Sequence, residues 1–159
     1  MSTATVAITS APPKWKAWLE PAGRWVAYQS NESWRSETYI RPFAGPAASG
    51  ASASQVGGQW QVSTAGGVFP RWRRDGRELY YLAPTGALMA APITATGAML
   101  APGAPVALFP TRIVGGGTDI SLGWQYDVTR DGRFLINTVL DEAAPPITPI
   151  QHWNPEGKQ

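Results

Sequence analysis

The sequence predicts an all-β fold made of repeated antiparallel sheets, and three observations support this prediction. Glycine (17 residues) and proline (15 residues) together make up about a fifth of the 159-residue chain, whereas no segment shows the sustained period of an amphipathic helix. Eight tryptophans, five tyrosines and four phenylalanines supply the apolar side chains of a folded core. A Gly-Arg pair occurs three times, each time directly before a short apolar segment. The length suits a single domain.

The clearest of these segments is residues 69–83, which the sequence predicts to be two short strands joined by a tight turn. Asp75 and Gly76 form the turn, because glycine tolerates the positive φ of a narrow hairpin and aspartate tolerates it nearly as well. Residues 79–82, which are all leucine or tyrosine, are typical of a buried strand.

The Gly-Arg pairs define the period of the repeat. They stand at residues 23–24, 76–77 and 132–133, and the separations of 53 and 56 residues are typical of propeller blades or repeat arrays. Each repeat holds three or four predicted strands. The predicted units are an N-terminal arm, residues 1–13, and one domain, residues 14–159, with repeats at about 14–67, 68–117 and 118–155.

Turn residues divide each repeat into short strands. The predicted strands span residues 24–30, 37–43 and 59–64 in the first repeat, 69–74, 78–83, 87–94 and 105–109 in the second, and 124–129, 133–139 and 147–153 in the third. Residues 14–19 contain a degenerate first strand, and residues 44–58 form a long loop. A strand at residues 3–9 could supply the fourth strand that the third repeat lacks, in the same chain or in a neighbour.

A group of arginines around one tryptophan is a candidate for ligand binding. In a strand, Arg71 and Arg73 fall on one face, and Trp72 and Arg74 fall on the other. One interpretation is that the arginine stems pack on the sheet while nearby carboxylates cap their guanidinium groups. The alternative is a surface for anionic ligands. The formal charge of +2 is too small for a nucleic-acid footprint, and we expect no nucleic-acid partner.

The tryptophans allow two interpretations. Most should fill the space between neighbouring sheets, because buried tryptophan suits a wedge-shaped core. Alternatively, tryptophans beside arginines form a stacking platform for sugars or bases, and Trp72 and Trp124 are candidates for this role. Trp34 lies in the polar segment 31–36, so we expect it to be exposed and available to a ligand.

Few residues are suited to catalysis. His152 is the only histidine, which excludes sites that need two imidazoles and requires any Ser-His-Asp triad to use His152. Cysteine is absent, which excludes thiolate nucleophiles and thiolate metal ligands. Asp127 and Asp131, near the ends of first strands, could act as acid and base or hold a hard cation, although an aspartate before glycine usually serves the turn. The catalytic candidates are therefore His152, Asp131 and Asp127, and we predict neither a cofactor nor a resident metal.

The chain carries no membrane or export signal that the sequence reveals. A membrane-spanning helix needs about 18 consecutive apolar residues, and no apolar run in this sequence comes close to that length. Residues 1–10 lack the basic start and apolar centre of a secretion signal. We expect no membrane partner, and the sequence leaves the compartment open.

The segment 72–77, Trp-Arg-Arg-Asp-Gly-Arg, followed by an apolar strand, resembles the blades of TolB-type (WD40-like) β-propellers, and residues 131–133 match the second half of this pattern. The first copy has Ala22 where the pattern has aspartate. The segments 23–33, 39–43, 70–76 and 133–137 resemble the final blades of the extracytoplasmic propellers that bacteria attach to serine/threonine kinases. The resemblance covers about residues 20–155.

The resemblance implies a β-propeller-like fold with about three four-stranded antiparallel blades in this chain. It also implies an extracytoplasmic origin and a binding scaffold. Since propellers of this group have roughly six to eight blades, the chain looks like the end of a longer protein. Three blades cannot close a ring, so we expect exposed apolar faces at both ends and a homo-oligomer that completes the ring. The alternative is an open monomer covered by its long loops.

Two functions remain open on the sequence alone. The first is a non-catalytic binding or interaction module built from propeller blades. The second is a small hydrolase of ester, phosphoester or glycoside substrates, with its pocket at the blade axis or at a subunit interface. The lack of a catalytic motif favours the binding module as the leading function, but it does not exclude the hydrolase, because a pocket between subunits needs no linear motif.

Overall fold

The computed structural model describes residues 17–43, 58–97, 99–113 and 123–139, and all regular secondary structure in these ranges is β-strand. The prediction of an all-β fold is therefore confirmed. The predicted strands at residues 3–9 and 147–153, and with them His152, lie outside the described residues.

The strands form antiparallel sheets that follow one another along the chain. The first sheet has the order β1 (Ala17–Leu19), β2 (Trp25–Ser30), β3 (Glu37–Pro42) and β4 (Trp60–Gln61). The second sheet contains β5 (Val68–Trp72), β6 (Glu78–Leu82), β7 (Ala87–Thr96), β8 (Met99–Pro102) and β9 (Val106–Pro110). The third sheet, as far as the structure describes it, pairs β10 (Tyr126–Val128) with β11 (Phe134–Ile136).

The outer strand of the second sheet consists of two pieces. β8 pairs with the second half of β7, from Ile93 to Thr96, and β9 pairs with the first half, from Ala87 to Ala90. The interruption lies opposite Pro92, whose backbone has no N–H to donate to a neighbouring strand. A strand was predicted at β9, but β8 was not, because its Pro-Gly sequence indicates a turn.

Both faces of the second sheet are buried. Successive side chains of β6 alternate between the faces, so Leu79 and Tyr81 contact the first sheet, while Tyr80 and Leu82 contact the third. The core toward the first sheet also contains Trp25, Ala27, Ile40, Val62, Trp72, Ala91, Ile93 and Leu100. The core toward the third sheet also contains Val68, Phe69, Leu88, Ala90, Ile113 and Tyr126. The three sheets are thus stacked face to face.

Each sheet contains the same tight turn, at the Gly-Arg pair. The glycines Gly23, Gly76 and Gly132 have φ values of 75°, 71° and 82°, in the left-handed region that favours glycine. The N–H of each glycine donates to the carbonyl three residues earlier, at 2.8, 2.9 and 3.1 Å respectively. The repeat read from the sequence therefore corresponds to one turn that recurs in three sheets.

The arginine after each of these glycines also has its N–H satisfied, but by a different side chain in each sheet. Glu20 accepts this hydrogen bond in the first sheet at 3.3 Å, where the turn has no aspartate. Asp75 accepts it in the second sheet at 3.0 Å, and Thr129 accepts it in the third at 3.0 Å. Asp75 therefore has the turn role predicted for it.

A buried carboxylate connects β3 to the segment that leads into the second sheet. Glu37 is fully buried, and its Oε1 accepts a hydrogen bond from Arg35 Nε at 2.9 Å. Its Oε2 accepts hydrogen bonds from the Ser63 hydroxyl and, at 3.0 Å, from the Gly66 N–H. Because a cation and several donors satisfy this carboxylate, its burial is stabilised. We assign Glu37 a structural role.

β5 contains a bulge that determines which face Arg71 occupies. Val68 and Arg71 are three positions apart, but they pair with residues of β6 that are two positions apart. Phe69 and Pro70 therefore oppose a single residue, which is the pattern of a β-bulge. As a result, Arg71 lies on the same face as Val68, whereas an unbroken alternation would place them on opposite faces.

Phe69, within the bulge, has a backbone conformation that is rare for a residue with a side chain. Its φ is 55°, and such left-handed geometry costs an ordinary residue about 1–2 kcal/mol. Its N–H donates to Gln29 Oε1 at 3.1 Å, and its carbonyl accepts a hydrogen bond from the Tyr126 hydroxyl at 2.8 Å. Its fully buried ring contacts Trp124, with ring centroids 5.7 Å apart. These contacts stabilise the strained backbone.

Substitution by glycine separates the backbone strain at Phe69 from its packing. Trp34 also has a positive φ, 65°, but its side chain is 100% exposed. We predict that Phe69→Gly lowers the free energy of unfolding by about 3–5 kcal/mol, because the loss of a buried ring outweighs the relief of strain. We predict that Trp34→Gly changes it by less than about 0.5 kcal/mol. Urea denaturation measures both, and equal losses would contradict this account.

Candidate functional site

The first strands of the three sheets lie side by side. β1, β5 and β10 each occupy an edge of their own sheet, and β5 contacts both of the others. Four side chains meet along this line: Trp18, Arg71, Trp124 and Asp127. We call these four residues the inner-edge cluster.

The guanidinium group of Arg71 lies between two indole rings. Its Cζ is 3.8 Å from the ring centroid of Trp18 and 3.8 Å from that of Trp124. Both distances are within the range of about 6 Å over which cation–π attraction acts. The two rings are tilted by 56°, with centroids 5.1 Å apart, so they form a V that holds the cation.

The Arg71 cation is buried, whereas the rings around it are not. Arg71 is 7% exposed, while Trp18 and Trp124 are 37% and 38% exposed. Burial lowers the pKa of Arg71, and the charge of Asp127 acts in the opposite direction. Because the ordinary pKa of arginine is so high, the guanidinium stays charged. The site therefore presents a desolvated cation between two partly exposed aromatic surfaces.

The hydrogen-bonding capacity of Arg71 is not fully used. Its Nε and Nη1 are buried and have no hydrogen-bond partner. Asp127 Oδ1 lies 3.3 Å from Nε, but the Asp127 side chain is 69% exposed. Charge-assisted hydrogen bonds are typically about 2.7–2.9 Å long, so this contact is a weak one. The buried donors of Arg71 could accommodate a stronger acceptor.

Two contacts hold the rings of the cluster in place. The indole Nε1 of Trp72 donates to the carbonyl of Trp18 at 3.1 Å, which fixes β1 against β5. Trp124 packs against the strained Phe69. The bulge in β5 then directs Arg71 between the rings. The same local features that build the core therefore position the site.

Of the residues that the sequence analysis proposed, Arg71, Trp124 and Asp127 meet in the inner-edge cluster. Trp72 lies on the opposite face of β5, in the core. Arg74 is exposed beside the turn. Trp72 and Arg74 are therefore not part of the inner-edge cluster.

The other proposed residues have separate surroundings. Arg73 forms an ion pair with Glu78, with Nη1 and Oε2 3.1 Å apart, which matches the interpretation of a capped arginine at a strand end. Trp34 is fully exposed, as predicted. Asp131 accepts hydrogen bonds from the Thr129 hydroxyl and, at 2.8 Å, from Arg133 Nε. The bond from Thr129 is the main reason that the pKa of Asp131 is lowered, and a lowered pKa makes a carboxylate a weaker base.

Sequence reasoning did not single out Trp18, although the repeat contains a signal that could have found it. The three turns begin at Glu20, Arg73 and Thr129. Trp18, Arg71 and Asp127 each stand two residues before the start of their turn. Equivalent positions in stacked repeats lie near one another, so three of the four members of the cluster follow from the alignment of the turns.

Comparisons with protein-family models and with curated proteins found no match for this chain. Within residues 17–43, 58–97, 99–113 and 123–139, no group of three or more His, Asp or Glu side chains could hold a metal ion. A search of the same residues identified no helix with the length and hydrophobicity needed to span a membrane.

The buried tyrosine hydroxyl next to the cluster should make the fold sensitive to alkali. Burial raises the pKa of Tyr126 well above its ordinary 10.0, and burial also raises the pKa of three other tyrosines to about 12: Tyr28, Tyr80 and Tyr81. Above about pH 10 the unfolded chain loses these protons while the folded chain keeps them, so the free energy of unfolding falls as pH rises.

We predict that Tyr126→Phe makes this alkaline decline shallower. The variant should also cost about 1–3 kcal/mol at neutral pH, because the buried carbonyl of Phe69 loses its donor. Urea denaturation between about pH 8 and pH 11 measures both effects. Parallel pH profiles for the wild type and the variant would contradict the assignment.

Proposed function

We propose that this chain is a non-catalytic binding module built from β-propeller-like blades of the TolB type, and that the inner-edge cluster contacts its ligand. The recurrence of one turn in three stacked antiparallel sheets supports the comparison with blades. The alignment of the first strands of all three sheets supports it as well, since the first strands of propeller blades surround the axis.

The observation that carries the proposed function is the position of Arg71 between two partly exposed indoles. Exposed tryptophan surface favours stacking against an aromatic or sugar ring. A guanidinium group with unused donors favours a carboxylate or another anionic acceptor. The ligand class that combines both features is an anion with a planar, apolar body.

The exposed carboxylate of Asp127 fits this proposal. It balances the charge of Arg71 through a long contact in the free protein, and a ligand anion with better geometry takes its place. Asp131 is occupied within its own turn, with a lowered pKa, so it is poorly suited to act as a general base. We therefore favour binding over catalysis.

We predict that 2-naphthoate, used as the test anion, quenches the tryptophan fluorescence of the protein in a saturable manner. Arg71→Met should weaken its binding at least about tenfold, because a charged hydrogen-bond donor is lost. The variant should fold, since a buried cation can be replaced by an apolar side chain of similar volume. The matched control is Arg74→Met, which changes an exposed arginine in the same segment.

Two results would overturn the proposal. Equal affinities in Arg71→Met and Arg74→Met would show that the inner-edge cluster does not bind the anion. Turnover of chromogenic ester, phosphoester or glycoside substrates that is lost in Asp127→Asn or Asp131→Asn would replace a binding module with a hydrolase.

We also propose that the chain associates with a second copy of itself to complete a ring. The third sheet exposes an apolar side chain on the face away from the second sheet, since Leu135, between the core residues Phe134 and Ile136 of β11, is 72% exposed. By contrast, the outward face of the first sheet already buries Val26, Tyr28 and Tyr39. The third sheet is therefore the side at which we expect the contact.

We predict a solution mass of at least twice the chain mass by light scattering. Leu135→Glu should reduce the mass to that of a monomer, because burying a carboxylate in an apolar contact is costly. Leu108→Glu, which changes an exposed leucine on β9, is the matched control and should leave the mass unchanged. A wild-type protein that stays monomeric at all concentrations would contradict self-association.

A further inference from the structure

A cleft of about 350 Å³ lies between the Gly-Arg turns of the first and second sheets. We call it the rim cleft. Its lining includes Glu20, Arg24 and Trp25 from the first turn, and Asp75 and Arg77 from the second. Ile93 on β7 contributes an apolar wall. The rim cleft shares no residue with the inner-edge cluster.

The two carboxylates of the rim cleft are already occupied. Glu20 is buried, accepts the Arg24 N–H at 3.3 Å and has Arg24 Nη2 3.7 Å from its Oε1. Asp75 accepts the Arg77 N–H at 3.0 Å and lies 3.5 Å from Arg73 Nε. These acceptors serve the turns, so they are not free for a cationic ligand.

Two residues that line the rim cleft, in contrast, have side-chain donors without an acceptor. Among the residues that the structure describes, Arg77 has no carboxylate within ion-pair distance, and its side chain is exposed. The indole N–H of Trp25 is buried, with the residue only 4% exposed, and it has no hydrogen-bond partner. A buried donor without an acceptor is costly.

We propose that the rim cleft binds the carboxylate group of a small aliphatic acid or of a short peptide. The guanidinium fork of Arg77 suits a carboxylate in a bidentate arrangement, and Arg24, which also lines the cleft, supplies further donors. The apolar wall at Ile93 suits a short aliphatic chain.

The charges of the cleft favour a monoanion over phosphate. Arg24 and Arg77 carry two positive charges, and Glu20 and Asp75 carry two negative charges, so the lining is neutral in total. The second charge of a dianion therefore gains no net Coulombic attraction in the cleft, although it must still be desolvated, so a monocarboxylate is favoured. Inorganic phosphate is thus the informative competitor.

The test is calorimetric titration of the full chain, at low ionic strength, with propionate, glycylglycine and inorganic phosphate. We expect saturable binding of propionate and glycylglycine, and weaker binding of phosphate. Arg77→Met should weaken propionate binding at least about tenfold, because the unpaired guanidinium is lost.

The matched control is Arg133→Met, since Arg133 occupies the position after glycine in the third turn but is paired with Asp131. It should bind propionate as the wild type does. Equal losses in Arg77→Met and Arg133→Met would show a nonspecific effect of net charge and overturn the proposal. No saturable propionate binding, or phosphate bound more tightly than propionate, would overturn it as well.

Discussion

Burial of both faces of the second sheet is the constraint on which the rest of the structure depends. In the run Leu79-Tyr80-Tyr81-Leu82 of β6, successive side chains alternate between the two faces, and all four are buried. Each such side chain contributes about 1.5–3 kcal/mol when it is removed from water, so a sheet on either side is required for stability. In this stack the first strands of the three sheets lie side by side, and this geometry creates the inner-edge cluster. The candidate site is thus a consequence of how the core is covered.

Phe69 joins the three sheets at one residue. It belongs to the second sheet, its N–H donates to Gln29 in β2 of the first sheet, and its carbonyl accepts a hydrogen bond from Tyr126 in β10 of the third. The bulge around it also places Arg71 on the face toward the two indoles. A core residue in a strained conformation therefore positions a polar side chain, which is a known use of bulges near functional sites.

The sequence predicted those features whose cause is local. Glycine at positive φ and aspartate before it determine the turn at residues 75–76, and the polar surroundings of Trp34 determine its exposure. β8 was missed because its Pro-Gly sequence indicates a turn, whereas the strand forms because β7 is long enough to pair with it. Arg71, Trp124 and Asp127 were named individually, but their meeting point depends on a bulge that simple alternation does not predict.

The three Gly-Arg turns show that a structural repeat can be kept while the residues that form it differ. A glutamate and a threonine, each three residues before the glycine, and an aspartate directly before it satisfy the same arginine N–H. The turn therefore requires an oxygen within reach of that amide, but it does not require one particular side chain. Two such turns can have the same shape while they share little more than the Gly-Arg pair, so their equivalence is clearer from this hydrogen bond than from the aligned residues.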